Sequence, residues 1–254
     1  MAGGTRWFPL ILFIAMVSLR PLVAQDMPSP TRINPVAPTA ITENARRLLE
    51  LGQLYMGRNN PAYACTPEEL TAQQRNDAAQ PALSTLQQLT TLYPKYADGW
   101  LWLGIALTET LCYSKQSPKG APSSTPATIT EGVRAFRTAY ECNPTDLVCV
   151  TYYGDALMQY RADFDAARQL WENYFKIAKT DMQKVTALTQ AARACLNKAY
   201  FGKIEKRLSP EQVKQEFQAA ERFVQQAAAI CPQAPHVTAM QGLLKQYRTT
   251  LYGK

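Results

Sequence analysis

The 254-residue sequence predicts an all-α protein, an α-solenoid of about four helical hairpins with loop insertions and a C-terminal capping helix. Three observations predict it. From Thr42 onward apolar residues recur at spacings of three and four, and strand-like alternation is scarce. Glycine and proline cluster only at breaks such as 57–61 and 117–126. Two apolar patterns also repeat along the chain in fixed order.

The first pattern is clearest in "GWLWLGIAL", residues 99–107. Trp100, Leu103, Gly104 and Leu107 have offsets 0, 3, 4 and 7, as do Leu48, Leu51, Gly52 and Tyr55, and, more weakly, Val150, Tyr153, Gly154 and Leu157. A glycine inside a helix costs roughly 1 kcal/mol against alanine. Three glycines at one pattern position therefore imply that a second helix lies close there. The second pattern follows the first in each unit. Ala82, Leu86, Leu89 and Pro94 have offsets 0, 4, 7 and 12, as do Gly132, Phe136, Ala139 and Pro144, and Ala220, Val224, Ala227 and Pro232. Ala167, Trp171 and Tyr174 fit the third unit, where Lys179 replaces the proline.

Together these residues resemble the tetratricopeptide repeat, a 34-residue helix–turn–helix unit with the signature W-x2-L-G-x2-Y, then A-x3-F and a closing Pro. The resemblance implies units at about 45–94, 97–144, 147–179 and 182–232, with a capping helix at 235–252. Units one, two and four exceed the family length, with the excess between their two helices. Unit four is the poorest match: Leu188, Ala191, Ala192 and Cys195 stand where large and small residues would be expected.

Local signals support the boundaries. Thr42 is expected to N-cap the first helix. Thr128 and Glu131 read as a capping box for the second helix of unit two. Ser209-Pro210-Glu211 supplies a cap, a first-turn proline and an acidic first turn. Thr66-Pro67-Glu68-Glu69 suggests a short extra helix. Pro94, Pro144 and Pro232 should end second helices.

Ahead of the repeats, residues 1–24 read as a secretory signal peptide. Arg6 precedes the 13-residue apolar run "WFPLILFIAMVSL", and "PLVA" ends at Ala24. The alternative is an uncleaved membrane anchor formed by residues 7–19, which would make the chain a membrane-tethered envelope assembly factor; the run is short for a span. Residues 25–41, with Pro28, Pro30, Pro35 and Pro38, read as an extended linker ahead of the helical domain at 42–254. The localisation expected is secreted or periplasmic.

An even number of cysteines in an exported chain suggests disulfides. The six are Cys65, Cys112, Cys142, Cys149, Cys195 and Cys231. On the hairpin frame Cys142 with Cys149, and Cys65 with Cys112, are candidate bridges, whereas Cys195 and Cys231 fall toward opposite ends of a hairpin. The other reading is small buried apolar residues.

The net charge is +7, and cleavage after Ala24 would remove Arg6 and Arg20 and leave +5. Residues 172–254 carry 13 basic and 6 acidic side chains. Lys198, Lys203, Lys206 and Arg207 could form a basic face, or simply a solvated loop.

No nucleophile, phosphate-loop, zinc-protease or dinucleotide pattern appears, so an enzyme is not expected. Asp163 and Asp165 read as turn and cap residues. The single histidine, His236, has no nucleophile pattern nearby. A hydrolase sited in the insertions is the alternative. No cofactor, metal or nucleic acid is expected, and the membrane only if the N-terminal segment stays attached.

The family resemblance implies a concave face lined by first helices, which binds a protein or peptide. Its positions fall on Arg46, Leu49, Glu50 and Gln53; on Asp98, Leu101, Trp102, Ile105 and Thr108; on Thr151, Tyr152, Asp155, Met158 and Gln159; and on Gln190, Arg193 and Asn197. Its centre would be apolar and aromatic, suited to an extended segment or a helix of a partner, unless the chain's own insertions, tail or final helix cover it.

Overall fold

The computed structural model describes residues 43–59, 72–112 and 126–252. The signal and linker readings, the Thr42 cap, the 66–69 helix and Cys65 lie outside the described residues, as does the side chain of Cys112.

The described residues form nine helices and no strands. They are α1 (Glu43–Asn59), α2 (Ala72–Leu92), α3 (Ala97–Cys112), α4 (Pro126–Cys142), α5 (Leu147–Ala156), α6 (Phe164–Ile177), α7 (Asp181–Ile204), α8 (Pro210–Ile230) and α9 (Pro235–Tyr252). A π-helical turn, Leu157–Arg161, continues α5. Helices pack in adjacent pairs, α1 on α2, α3 on α4, α5 on α6 and α7 on α8, and each pair packs on the next.

The three repeated glycines share one environment. A Cβ at Gly52 would lie 2.6 Å from Leu86, one at Gly104 2.6 Å from Phe136, and one at Gly154 2.7 Å from Trp171. In all three units the large side chain at offset 4 of the second helix lies flat against the first helix. Leu86 and Trp171 are fully buried and Phe136 is 2% exposed.

The links between units repeat as well. Tyr93, Asn143 and Cys231 donate backbone N–H groups to Leu89, Ala139 and Ala227 at 2.8, 3.0 and 3.0 Å. Each is followed by proline, and the chain then closes a turn: Tyr96 to Tyr93, Asp146 to Asn143 and Ala234 to Cys231. Proline sits at the second position of each turn, where its fixed φ suits the bend and its missing N–H goes unused. Unit three closes differently, with Thr180 and Gln183 in a reciprocal capping box at the start of α7.

Two local readings have different outcomes. Ser209 and Gln212 form a capping box at the start of α8, with Pro210 in the first turn. Thr128 does not precede its helix, because α4 already begins at Pro126. The proline takes the first helical position and leaves Thr128 inside the first turn.

Helix α7 explains the poor match of unit four. It packs against α6, α8 and α9 and is buried on nearly every side. Ala187, Ala191, Ala192, Ala194 and Ala199 let three helices approach it at once. Its partner α9 buries Val237, Met240, Tyr247 and Leu251. The outward residues of α9, among them Thr238, Gln241, Lys245 and Thr249, are polar and exposed. That end of the stack is closed. No described helix is long and apolar enough to cross a membrane.

Candidate functional site

The first helices of units one and two touch, as do those of units two and three, and across the boundary between units three and four two equivalent positions meet. Counting from Leu48, Trp100, Val150 and Leu188, the fifth residue onward is Gln53, Ile105, Asp155 and Arg193. Arg193 Nη1 donates to Asp155 Oδ1 at 2.9 Å across the boundary between units three and four. It also lies 3.3 Å from Gln190 Oε1. Asn197 Nδ2 lies 3.9 Å from Met158 Sδ, and Tyr247 donates to Asn197 at 3.4 Å. The side chains that the family resemblance assigns to a groove therefore do meet across this boundary.

Their exposure divides them. Leu49, Leu101, Trp102 and Met158 are 3–5% exposed and Ile105 is fully buried. Of these, Leu49, Leu101, Trp102 and Ile105 belong to one core cluster with Phe136 and Met56, so the apolar centre is packed interior. Thr108 and Thr151 turn their hydroxyls back to Gly104 and Leu147 carbonyls at 2.8 and 2.7 Å. The side chains that reach solvent are mostly polar: Arg46, Glu50 and Gln159 are exposed, and Gln53, Asp98, Tyr152, Asp155 and Arg193 are half-buried. Tyr152 stacks on Phe136 with centroids 5.5 Å apart. Arg46 is drawn to Glu43 in its own helix.

An acidic corner lies where α3 and α5 begin, a feature that motif reading alone passed over. Burial raises the Asp98 pKa, and the Asp146 carboxylate raises it further, while a hydrogen bond with Tyr96 opposes the shift. Burial, then Asp98 and then Glu50 push the Tyr96 phenol upward. Asp146 caps α5 by accepting from Val148 N at 2.9 Å. The signal available beforehand was an aspartate in the first turn of a helix that begins beside a second aspartate's cap.

The Cys142–Cys149 bridge is corrected: Cys142, Cys149, Cys195 and Cys231 are free thiols, while the Cys65–Cys112 pair lies outside the described side chains. Cys142 Sγ turns to the Pro94 carbonyl at 3.6 Å, and Cys149 Sγ turns to Asp146 Oδ2 at 3.7 Å. Each therefore faces a different acceptor from the other. Burial, reinforced by Asp146 and Asp98, drives the Cys149 thiol far above the ordinary range. Burial takes Cys195 up to about 11, with Glu216 adding and Arg168 opposing.

Part of the candidate basic face is also bound within the chain. Lys198 reaches Asp165 and Glu216, each at 2.7 Å. Lys203 donates to the Leu251 carbonyl, and Arg207 pairs with Glu205 at 2.9 Å. Asp163 caps α6 by accepting from Ala166 N at 3.1 Å. His236 stands in the first turn of α9 with Nδ1 enclosed and unpartnered. Among the described residues no group of His, Cys, Asp and Glu is arranged to hold a metal.

No protein-family model matches this chain, and no curated protein matches it. A solved structure similar to it is the MamA RS-1 ArsTM double mutant, at 13% identity and a TM-score of 0.41, covering 85% of this chain and 100% of that one.

Proposed function

We propose that the chain is an exported protein-interaction module of tetratricopeptide type, binding an extended segment of a partner protein along its first-helix side. It works by binding, without catalysis. The observation that carries this reading is the Arg193–Asp155 contact at 2.9 Å. Equivalent positions of neighbouring first helices abut there, so their solvent-reaching side chains can act as one strip. Glu50, Gln53, Tyr152 and Asp155 offer that strip a carboxylate, an amide, an aromatic face and a second carboxylate. A strip of this kind suits a peptide with a basic residue near unit one and a flat or apolar residue at Tyr152. Export rests on the apolar run at 7–19 and the small residue Ala24 ahead of Gln25.

A displayed peptide library selected on the purified protein tests the binding reading. Selected peptides should be enriched in Lys or Arg and should lose affinity on Glu50→Lys and on Tyr152→Ala. They should keep it on Arg134→Glu, on the exposed outer face of α4. Peptides indifferent to the first two substitutions would remove the reading. N-terminal sequencing of exported protein should begin at Gln25; an intact Met1 start would remove the cleavage.

A further inference from the structure

Helix α9 keeps the register of the repeat. Trp100, Val150 and Thr238 each stand six residues beyond a linking proline, Pro94, Pro144 and Pro232. Each donates its backbone N–H four residues back, to Tyr96, Asp146 and Ala234, at 3.5, 3.1 and 3.2 Å. Ten residues beyond the same prolines stand Gly104, Gly154 and Gly242. Side-chain contacts keep the same count. Asn197 and Tyr247 are each the ninth residue from their pattern start, Leu188 and Thr238, and Tyr247 donates to Asn197 across the boundary between α7 and α9 at 3.4 Å. Asp155 and Arg193, both fifth residues, meet in the same way across the boundary before it. The match is faint in the sequence because Thr238, Gln241 and Lys245 stand where the pattern has large apolar residues.

We propose that α9 is the first helix of a fifth unit and, resting on the binding reading above, that its Leu243 receives an apolar side chain of the bound segment. Leu243 is the fifth residue from Thr238, the position held by Gln53, Asp155 and Arg193 in their units. It is half-buried and packs on the core cluster that holds Met240 and Tyr247. Its place is therefore fixed, and part of it meets solvent. Gln246 and Thr250 are exposed and share its face through the three- and four-residue spacing of a helix. They give the apolar spot a polar rim, the usual setting of a contact that orients as well as binds.

Charge decides what fits there. Arg193, at the equivalent position of the neighbouring helix, is already matched by Asp155 at 2.9 Å. Arg248 of α9 is drawn to Glu221, and Lys245 stands on the outward face. A charged partner residue set on Leu243 would lose water and gain no counter-ion, whereas an apolar one gains about 25 cal/mol for each Å² it buries. The strip thus runs from Glu50, whose carboxylate favours a basic residue, to Leu243, which favours an apolar one. The partner segment is basic toward one end and apolar toward the other, and that asymmetry sets the direction in which it lies.

The test uses the full chain and peptides selected on it from a random displayed library. The selected peptides should carry an apolar end opposite the basic one. Leu243→Asp should weaken them by about tenfold or more. Leu243→Met should keep their affinity, and so should Lys245→Glu on the outward face of α9. Because Leu243→Asp can loosen α9, one peptide is also remade with p-benzoylphenylalanine at its apolar end and irradiated with the unaltered protein. The expected adduct falls on α9. No adduct on α9, peptides without an apolar end, or full affinity for the Leu243→Asp variant would overturn the proposal. If Glu50→Lys and Tyr152→Ala still weaken the peptides, the binding reading survives that failure; if neither does, both fall.

Discussion

Gly104 lies flat against the ring of Phe136, so a Cβ at position 104 would fall 2.6 Å from both Cδ1 and Cε1. Phe136 is 2% exposed and has little room to move. Gly104→Ala should therefore lower stability by about 1–3 kcal/mol, the usual cost of overpacking, despite the helix propensity it gains. Gly242, also helical, has nothing within 4 Å of its added Cβ. Gly242→Ala should raise stability by about 0.5–1 kcal/mol. Urea unfolding of the two variants beside the parent checks the opposite signs. A stabilised Gly104→Ala would refute the close packing.

Asp98 should make stability fall with rising pH. Its folded pKa lies above the ordinary value of 3.8 because of burial and Asp146. Between the two values the folded state holds more proton than the unfolded chain, so stability is lost as pH rises through that window. Asp98→Asn removes the charge and keeps an acceptor for Tyr96. It should be more stable than the parent at neutral pH, and the difference should vanish below pH 3.8. Thermal unfolding at both conditions checks this, and an equal offset at both would reject it.

The described thiols should differ in reactivity. Cys149 and Cys195 are buried and their pKa values are raised. Cys142 and Cys231 are half-exposed. Brief iodoacetamide treatment of the folded protein should label Cys142 and Cys231 first, with Cys149 and Cys195 labelled only in denaturant. Peptide mapping reads the order. A Cys142–Cys149 disulfide in the native protein would contradict the free-thiol structure.

Glu216 ties two cations together, accepting from Lys198 at 2.7 Å and from Arg168 at 3.3 Å. It is 15% exposed on α8, while Arg168 stands on α6 and Lys198 on α7. Glu216→Gln should cost about 1–2 kcal/mol, since these contacts are only partly shielded from solvent. The loss should shrink in high salt. Denaturation at two ionic strengths measures both effects, and a salt-independent loss would point to packing instead.

The helical frame was largely legible in the sequence because its signals are local and repeat. The glycine at offset 4 in three units, the prolines Pro94, Pro144 and Pro232, and the Ser209 cap act within a few residues. Thr128 misled because Pro126 can open a helix two residues sooner. Unit four resembled the pattern least because its first helix is buried on nearly every side, so small residues replace the large ones of the pattern.

The candidate site was legible only in outline. Family spacing put Trp102, Leu101 and Ile105 on the same side as Tyr152 and Asp155, but spacing cannot report depth. The apolar side chains are in the core, and the polar ones between them reach solvent. The described cysteines follow the same rule: an even number in the sequence pointed to bridges, but spacing could not report that Cys142 turns to Pro94 and Cys149 to Asp146.

The sequence by itself determined the helices, their order and the close seams at Gly52, Gly104 and Gly154, because backbone sterics and apolar periodicity act along the chain. Only the tertiary structure decided which side chains face water and which carboxylates crowd together at Asp98 and Asp146. Those outcomes depend on distances between residues far apart in sequence, and on how much solvent the neighbouring helices exclude.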